Sequence, residues 1–278
     1  MEIYTGTGVA TDIYINTPDG FLKPSESLIM PYGFKDVSDM LDHHGFTWAH
    51  RGSSSMYSEM SLKAYTEAVR RNYGVLEVSL NRSSDGVWFG LHDQTLDRVI
   101  NGSDNLDPST MTWDQIKQYS IVRSGSTPSD PQPFMKWEDY VDAYGNSHVV
   151  VVDPKHRHSS HRNEFFDMLG DLDPTKIIIK FYYDTPSLAS MAEDRGMASW
   201  GYLYTHSLSD PQLTTRVAPW TLLGFEHSAT QQDWDTVLSF GKPVVGHIAQ
   251  TQAQYNDAMS KGAVGVQCGG IHQIAAVR

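Results

Sequence analysis

The run Val149-Val150-Val151-Val152, continued by Asp153-Pro154-Lys155, and the run Ile177-Ile178-Ile179 a short way downstream decide the fold. Each is a short, continuous apolar segment rich in β-branched residues. That composition suits a strand buried on both faces, the hallmark of a parallel sheet, whereas a half-solvated strand would alternate. Working outward, the same rhythm predicts eight strands, at 47–52, 75–81, 148–155, 176–183, 198–204, 221–227, 243–250 and 264–270.

Helical patterns fill the intervals. Between the first two strands, Leu62, Tyr65, Ala68 and Val69 recur at helical spacing, and Gly74 stands where a C-terminal cap is needed. Further helices are expected over 164–172, 187–195, 231–240 and 253–261, with Gly196, Gly241 and Gly262 closing three of them. Strand–helix alternation with short connections gives right-handed βαβ units, and eight of them close into a (β/α)8 TIM barrel of the α/β class. The second unit carries a long insertion between Asn81 and His148, with helices expected near 113–119 and 136–144 and a Pro/Ser-rich loop over 124–133. Such insertions belong at the C-terminal face of the barrel, where active sites lie. Residues 1–46 show no periodicity beyond a weak strand signal at 11–15, so the expected division is an N-terminal appendage, 1–46, and a barrel domain, 47–278.

The bulk numbers set limits. With 40% hydrophobic and 19% charged residues the chain can build a globular core. A net charge of −12 argues against nucleic acid as a partner and requires local cations wherever phosphate is handled. The single cysteine, Cys268, excludes an internal disulfide and reads as a buried thiol of the eighth strand. No stretch approaches the ~18 apolar residues of a membrane span, and the opening Met1-Glu2-Ile3-Tyr4 lacks the basic and apolar regions of an export signal. A soluble protein is expected.

The chemistry-bearing residues are ordered along the first three strands. His50-Arg51-Gly52 ends the first, with Glu59 close behind; Glu77 and Ser79 lie on the second; Asp85-Gly86, His92-Asp93 and Leu96-Asp97-Arg98 fall in the insertion; Asp153 and Lys155 end the third. Residues i and i+2 of a strand share a face, so Glu77 with Ser79 and Asp153 with Lys155 point into the barrel mouth together. Two histidines, two carboxylates, an arginine and a lysine at one rim describe a site for polarising and cleaving a phosphate ester.

This ordered set resembles the glycerophosphodiester phosphodiesterase family, whose pattern has His-Arg-Gly, a nearby Glu, a Glu-x-Asp strand, an Asp-Gly…His-Asp…Leu-x-Arg loop and a later Glu-x-Lys strand. The resemblance implies His50 and His92 as general acid and base, for which an unperturbed pKa of about 6.5 is suited. It implies Glu77, Asp153, Ser79 and Glu59 around a divalent cation, Mg²⁺ or Ca²⁺, and Arg51 and Lys155 as substrate-binding cations on the phosphoryl oxygens. The implied substrate is a glycerophosphodiester or related polyol phosphodiester. Two positions depart from the pattern: Ser79 stands where a second carboxylate is expected, and Asp153 replaces the longer Glu. The chain is also similar to a domain of actinobacterial phage tail proteins. That likeness implies an envelope phosphodiester as target, a tail assembly as partner and a virion tail as location.

Plainer readings stand beside these. The histidines can be structural, Glu77 can pair with Arg51 or Lys155, and Asp153 with Lys155 can be a strand-end salt bridge. His156, His158 and His161 suggest zinc by spacing, or a basic loop that attracts anions. Glu226 and His227 end the sixth strand at the same rim. Rival functions are a non-catalytic barrel that binds cell-envelope phosphopolymers and a lyase-like phospholipase that stops at a cyclic phosphate.

Overall fold

The computed structural model describes residues 33–278 apart from 54 and 156–158, together with the backbone of 16–17 and 20–21. The strand signal at 11–15 and the His156/His158 pair lie outside the described residues. Eight parallel strands close a barrel: β1 (Phe46–Ala49), β2 (Val75–Arg82), β3 (Val149–Pro154), β4 (Ile177–Tyr182), β5 (Ala198–Tyr202), β6 (Leu222–Glu226), β7 (Val244–Ala249) and β8 (Gly265–Cys268). Closure is made where β1 pairs with both β8 and β2. All eight expected strands are present.

The outer helices are α1 (Leu62–Arg70), α2 (Arg162–Met168), α3 (Pro186–Glu193), α4 (Leu213–Val217), α5 (Gln231–Leu238) and α6 (Gln252–Ser260). α1, α5 and α6 begin on Ser61, Thr230 and Thr251, each accepting the N–H three residues on. α4 has no counterpart in the sequence reading, since its Thr-Thr-Arg centre lacks an apolar stripe. The 124–133 stretch, expected as a loop, is half of an antiparallel hairpin formed by Ser120–Ser124 and Thr127–Pro133. Its prolines at 128, 131 and 133 argue against a central strand but are tolerated on the largely exposed outer strand of a two-stranded ribbon.

Alternation inside the barrel places the site. On β2, Leu76, Val78 and Leu80 face the helices, while Val75, Glu77 and Ser79 face inward. Val149, Val151 and Ile178 continue the inner layer, with Trp48 packed edge-to-face on Trp200 at 4.8 Å. Phe34, Val37 and Met40, on and before a short helix Val37–Asp42, pack into this interior cluster from the N-terminal end of the strands. The apolar floor leaves the polar residues at the other end, and the register continues their layer around the wall: Ser79 opposite Asp153, Trp200 opposite Lys180, Glu226 opposite His247.

Candidate active site

His50 follows β1, held by its N–H to the Cys268 carbonyl at 2.9 Å. The chain then turns through Arg51 at φ 54° and Gly52 at φ 77°. A Cβ on Gly52 would lie 2.9 Å from the Ala64 Cβ, so this tight turn over α1 requires glycine. Arg51 bears the left-handed conformation at a cost of ~1–3 kcal/mol, and in return its N–H donates to Glu77 Oε2 at 2.7 Å.

His92 arrives from the insertion. The strand Trp88–Gly90 pairs antiparallel with the end of β2, and Asn81 Nδ2 donates to the Asp93 carbonyl at 2.8 Å, fixing the loop. His92 Nδ1 lies 2.7 Å from Asp93 Oδ1, whose partner oxygen accepts from Arg98 Nε at 2.5 Å. Burial opposes the charge on Asp93, but His92 and Arg98 outweigh it and hold this carboxyl well below the usual carboxylate range. The anion therefore fixes the Nδ1–H tautomer of His92 and leaves Nε2 for chemistry.

Glu59 does not join the other carboxylates. It is 1% exposed and accepts from Arg51 Nη1 at 3.1 Å, Arg98 Nη1 at 2.9 Å and Nη2 at 2.7 Å, and the Gly125 N–H at 2.7 Å. It ties the His50 turn to the His92 loop, and its oxygens are fully used. Arg51 spends one nitrogen on this tie, while its buried Nε has no hydrogen-bond partner among the described residues.

Glu77 and Asp153 do come together, with Ser79 Oγ 3.5 Å from a carboxylate oxygen of each. Between them sits a residue the sequence reading did not assign. Lys180 of β4 places its Nζ 2.8 Å from Glu77 Oε1 and 3.5 Å from Asp153 Oδ2, and it is 6% exposed. Lys155 reaches the same Asp153 oxygen at 2.7 Å. Burial alone would depress the Lys180 ammonium, but the two carboxylates overcome it and hold its pKa above that of an ordinary lysine. Lys155 goes the other way, lowered by burial and by Lys180 despite Asp153. Asp153 is pulled down to about 2, since Lys155 and Lys180 outweigh its burial.

The histidines sense one another and the same cations. His50 is driven well below the ordinary value by burial, then by Arg51, Lys180, His92 and Lys155. His92 is lowered by burial and by Arg51 and Lys155, with Asp93 opposing. The neutral form is thus favoured at His50, while at His92 the bound Asp93 carboxylate works for the protonated form. Beside Lys155 opens a cavity of about 330 Å³ lined by Arg162, Phe165, Tyr182 and Tyr202 among others, room for part of a substrate. Glu226, at the rim, is taken by the N–H and hydroxyl of Thr205 at 2.6 and 2.9 Å. His227 faces Asp257 at 3.9 Å, and His161 pairs with Glu164 at 3.0 Å. The buried His247 lies 3.0 Å, through Nε2, from the Leu203 carbonyl.

The model of the glycerophosphoryl diester phosphodiesterase family matches residues 50–205, more than half of the chain and the stretch that supplies both histidines, Arg51, Glu59, Glu77, Ser79, Asp153, Lys155 and Lys180. The chain belongs to this family. A glycerophosphodiester phosphodiesterase of Arabidopsis thaliana is 34% identical over 120 residues, 42% of this chain and 36% of that protein. A probable glycerophosphodiester phosphodiesterase of Mycobacterium tuberculosis is 34% identical over 82 residues, 30% of this chain and 29% of its own length. The chain thus spans about a third of these curated relatives. Among solved structures, an Oleispira antarctica phosphodiesterase in complex with the product sn-glycerol-3-phosphate superposes with a TM-score of 0.67 at 15% identity, covering 82% of this chain and 94% of that one. The Thermotoga maritima glycerophosphodiester phosphodiesterase gives 0.66 at 16%, covering 82% and 96%. At these identities the structures establish the shared barrel.

Family members generally use a divalent cation. The donors present here do not fit one. Glu59 is consumed by arginines, Ser79 brings no charge, and Glu77 has both oxygens engaged, by Lys180 and by the Arg51 N–H. Of the four oxygens of Glu77 and Asp153, Asp153 Oδ1 alone has no hydrogen-bond partner among the described residues. Among those residues no group of three or more His, Cys, Asp or Glu side chains is arranged to hold a metal.

Proposed function

We propose that this chain hydrolyses phosphodiesters of glycerol or a related polyol, with His50 as general base and His92 as general acid. The observation that supports this most directly is the His92–Asp93 pair: a carboxylate that holds one nitrogen of a partly exposed imidazole leaves the other for proton transfer. His50, the more deeply buried of the two and surrounded by cations, stays neutral and accepts a proton. His92, whose positive form Asp93 favours, is the one that carries a proton to the leaving group.

In this reading the phosphodiester anion lies against Lys155 and the Arg51 guanidinium, above Lys180. His50 removes the proton of a substrate hydroxyl adjacent to the phosphate. That oxygen bonds to phosphorus as the bond to the leaving alcohol breaks, and His92 delivers its proton to the departing oxygen. The resulting cyclic phosphate is opened by water, with His92 now accepting the proton and His50 returning one to the ring oxygen. The three cations neutralise charge on the phosphoryl oxygens in a site screened from water.

The test is glycerophosphocholine hydrolysis by the wild-type chain and by His50→Ala and His92→Ala, followed by phosphorus NMR. Glycerol phosphate from the wild type and a loss of at least ~100-fold in each variant are expected. Full activity in either variant would remove the acid–base pair. A product that stays cyclic would make the protein a lyase.

A further inference from the structure

We propose that the ammonium of Lys180 is the resident cation of this site, standing between Glu77 and Asp153 in place of a divalent metal ion. The inference builds on the phosphodiesterase reading above and concerns what neutralises the carboxylates beneath the phosphate.

Position comes first. β4 presents Ile178 to the interior, so Lys180, two residues on, must also point inward, and its register partner Trp200 is an inner residue as well. The four-carbon stem carries Nζ to a point shared by both carboxylates, 2.8 Å from one and 3.5 Å from the other. Trp200 and Tyr202 complete the seat, each with its ring centroid 5.6 Å from Nζ. Two anions and two aromatic faces around one desolvated point form a cation site, and the chain supplies the cation itself.

Charge decides between the alternatives. Glu77 and Asp153 bring two negative charges, and Lys155 and Lys180 bring two positive ones. The neighbouring group balances likewise, with Arg51 and Arg98 facing Glu59 and Asp93. The buried site is therefore neutral, and one protonated histidine gives it the single positive charge that a phosphodiester monoanion calls for. Adding a divalent ion would leave two further buried positive charges uncompensated, a desolvation cost of several kcal/mol per ion. A metal at Glu77 would have to displace Lys180 and the Arg51 N–H, and Asp153 Oδ1, the one oxygen of the pair without a partner among the described residues, is a single donor. Ser79 is consistent with this arrangement: a monovalent ammonium between two carboxylates needs no third acid, and a hydroxyl 3.5 Å from each can donate to either.

The test combines calorimetry and turnover on the full chain. Protein stripped with EDTA is titrated with MgCl₂ and, separately, CaCl₂, and glycerophosphocholine hydrolysis is measured in EDTA and in excess Mg²⁺. The wild type should show no saturable binding of either ion and equal rates in both buffers. Lys180→Met leaves Glu77 exposed to any cation. This variant should lose at least ~100-fold of the EDTA-resistant rate, as on removal of one preorganised charge-stabilising group, and should acquire a binding isotherm for Mg²⁺ or Ca²⁺. Stoichiometric metal binding by the wild type, or a wild-type rate abolished by EDTA and restored by Mg²⁺, would overturn the proposal, as would full EDTA-resistant activity in Lys180→Met. A wild type inert toward the substrate in every buffer would defeat the phosphodiesterase reading and leave calorimetry to decide the cation site. If circular dichroism shows Lys180→Met unfolded, the wild-type titrations decide it alone.

Discussion

His92 and Asp93 are adjacent in sequence and bonded through their side chains, Nδ1 to Oδ1 at 2.7 Å, while the other Asp93 oxygen is held by Arg98. A residue seldom orients its immediate neighbour, and here the Arg98 fork makes it rigid. Asp93→Asn keeps the shape but can present its amide nitrogen to Nδ1, turning the imidazole to the wrong tautomer. A fall in kcat of ~100-fold or more is expected, since a misplaced tautomer forfeits most general acid–base assistance. Steady-state kinetics with glycerophosphocholine measures it, and a change below threefold would mean that Asp93 does not orient the acid.

Glu59 tests whether the network is architecture or ligand. Its carboxylate is buried between two guanidiniums, and Glu59→Ala would take the anion from Arg51 and leave Arg98 with Asp93 and the Gly125 carbonyl, a loss of ~3–5 kcal/mol for a broken buried pair. At the ~2–4 °C per kcal/mol usual for a chain of this size, the melting temperature should drop by roughly 10 °C. Thermal unfolding read by circular dichroism gives the answer. An unchanged melting temperature would show that the Arg51–Glu59–Arg98 tie does not hold the two histidine loops together.

The barrel was legible because its signal is redundant. Buried parallel strands such as Val149–Pro154 and Ile177–Tyr182 read as apolar runs, and helices capped by Ser61, Thr230 and Thr251 fill the gaps. The rim followed from i, i+2 parity on β2 and β3. The same parity applied to β4 would have placed Lys180 beside Glu77, because a lysine two residues after an inward Ile178 has no route to solvent across the wall. The sequence hides this because the lysine closes an apolar run and belongs to no motif. The tie of Glu59 to Arg98, 39 residues apart, had no local trace, since only the folded insertion brings the two together.

Acid should unfold this chain from about pH 6.5 downward. Burial first, then Arg278 and Lys176, drops His148 to about 3, and burial drops His247 to about 4 against the bond it makes with the Leu203 carbonyl. A lowered histidine is neutral in the folded state and charged in the unfolded one, so its contribution is intact above the unfolded value of 6.5 and lost as pH falls toward the folded value. Each costs up to ~1.4 kcal/mol per pH unit within its window. Asp153, held at about 2, adds a further loss below its unfolded value of 3.8. Urea midpoints at pH 7 and pH 5 measure the slope, and equal midpoints would contradict the burial of these imidazoles.

The floor under Lys180 is packed without slack. Gly224 faces Trp200 across β5 and β6, and a Cβ there would lie 2.3 Å from Trp200 Cζ2. Trp200 cannot retreat, because it is 1% exposed and packs edge-to-face on Trp48, and its other neighbours include the Lys180 ammonium. Gly224→Ala should therefore destabilise by ~1–3 kcal/mol through overpacking, with a melting temperature lower by several degrees. It should also lower kcat, since a shifted indole moves Lys180 against Glu77. Trp200→Phe removes the atom that clashes but leaves a gap of its own. If the contact is the cause, the double variant should be more stable than the sum of the two single losses by ~0.5–3 kcal/mol, the size of coupling found between touching residues. Additive losses in a double-mutant cycle of urea denaturation would show that Gly224 is small for some other reason.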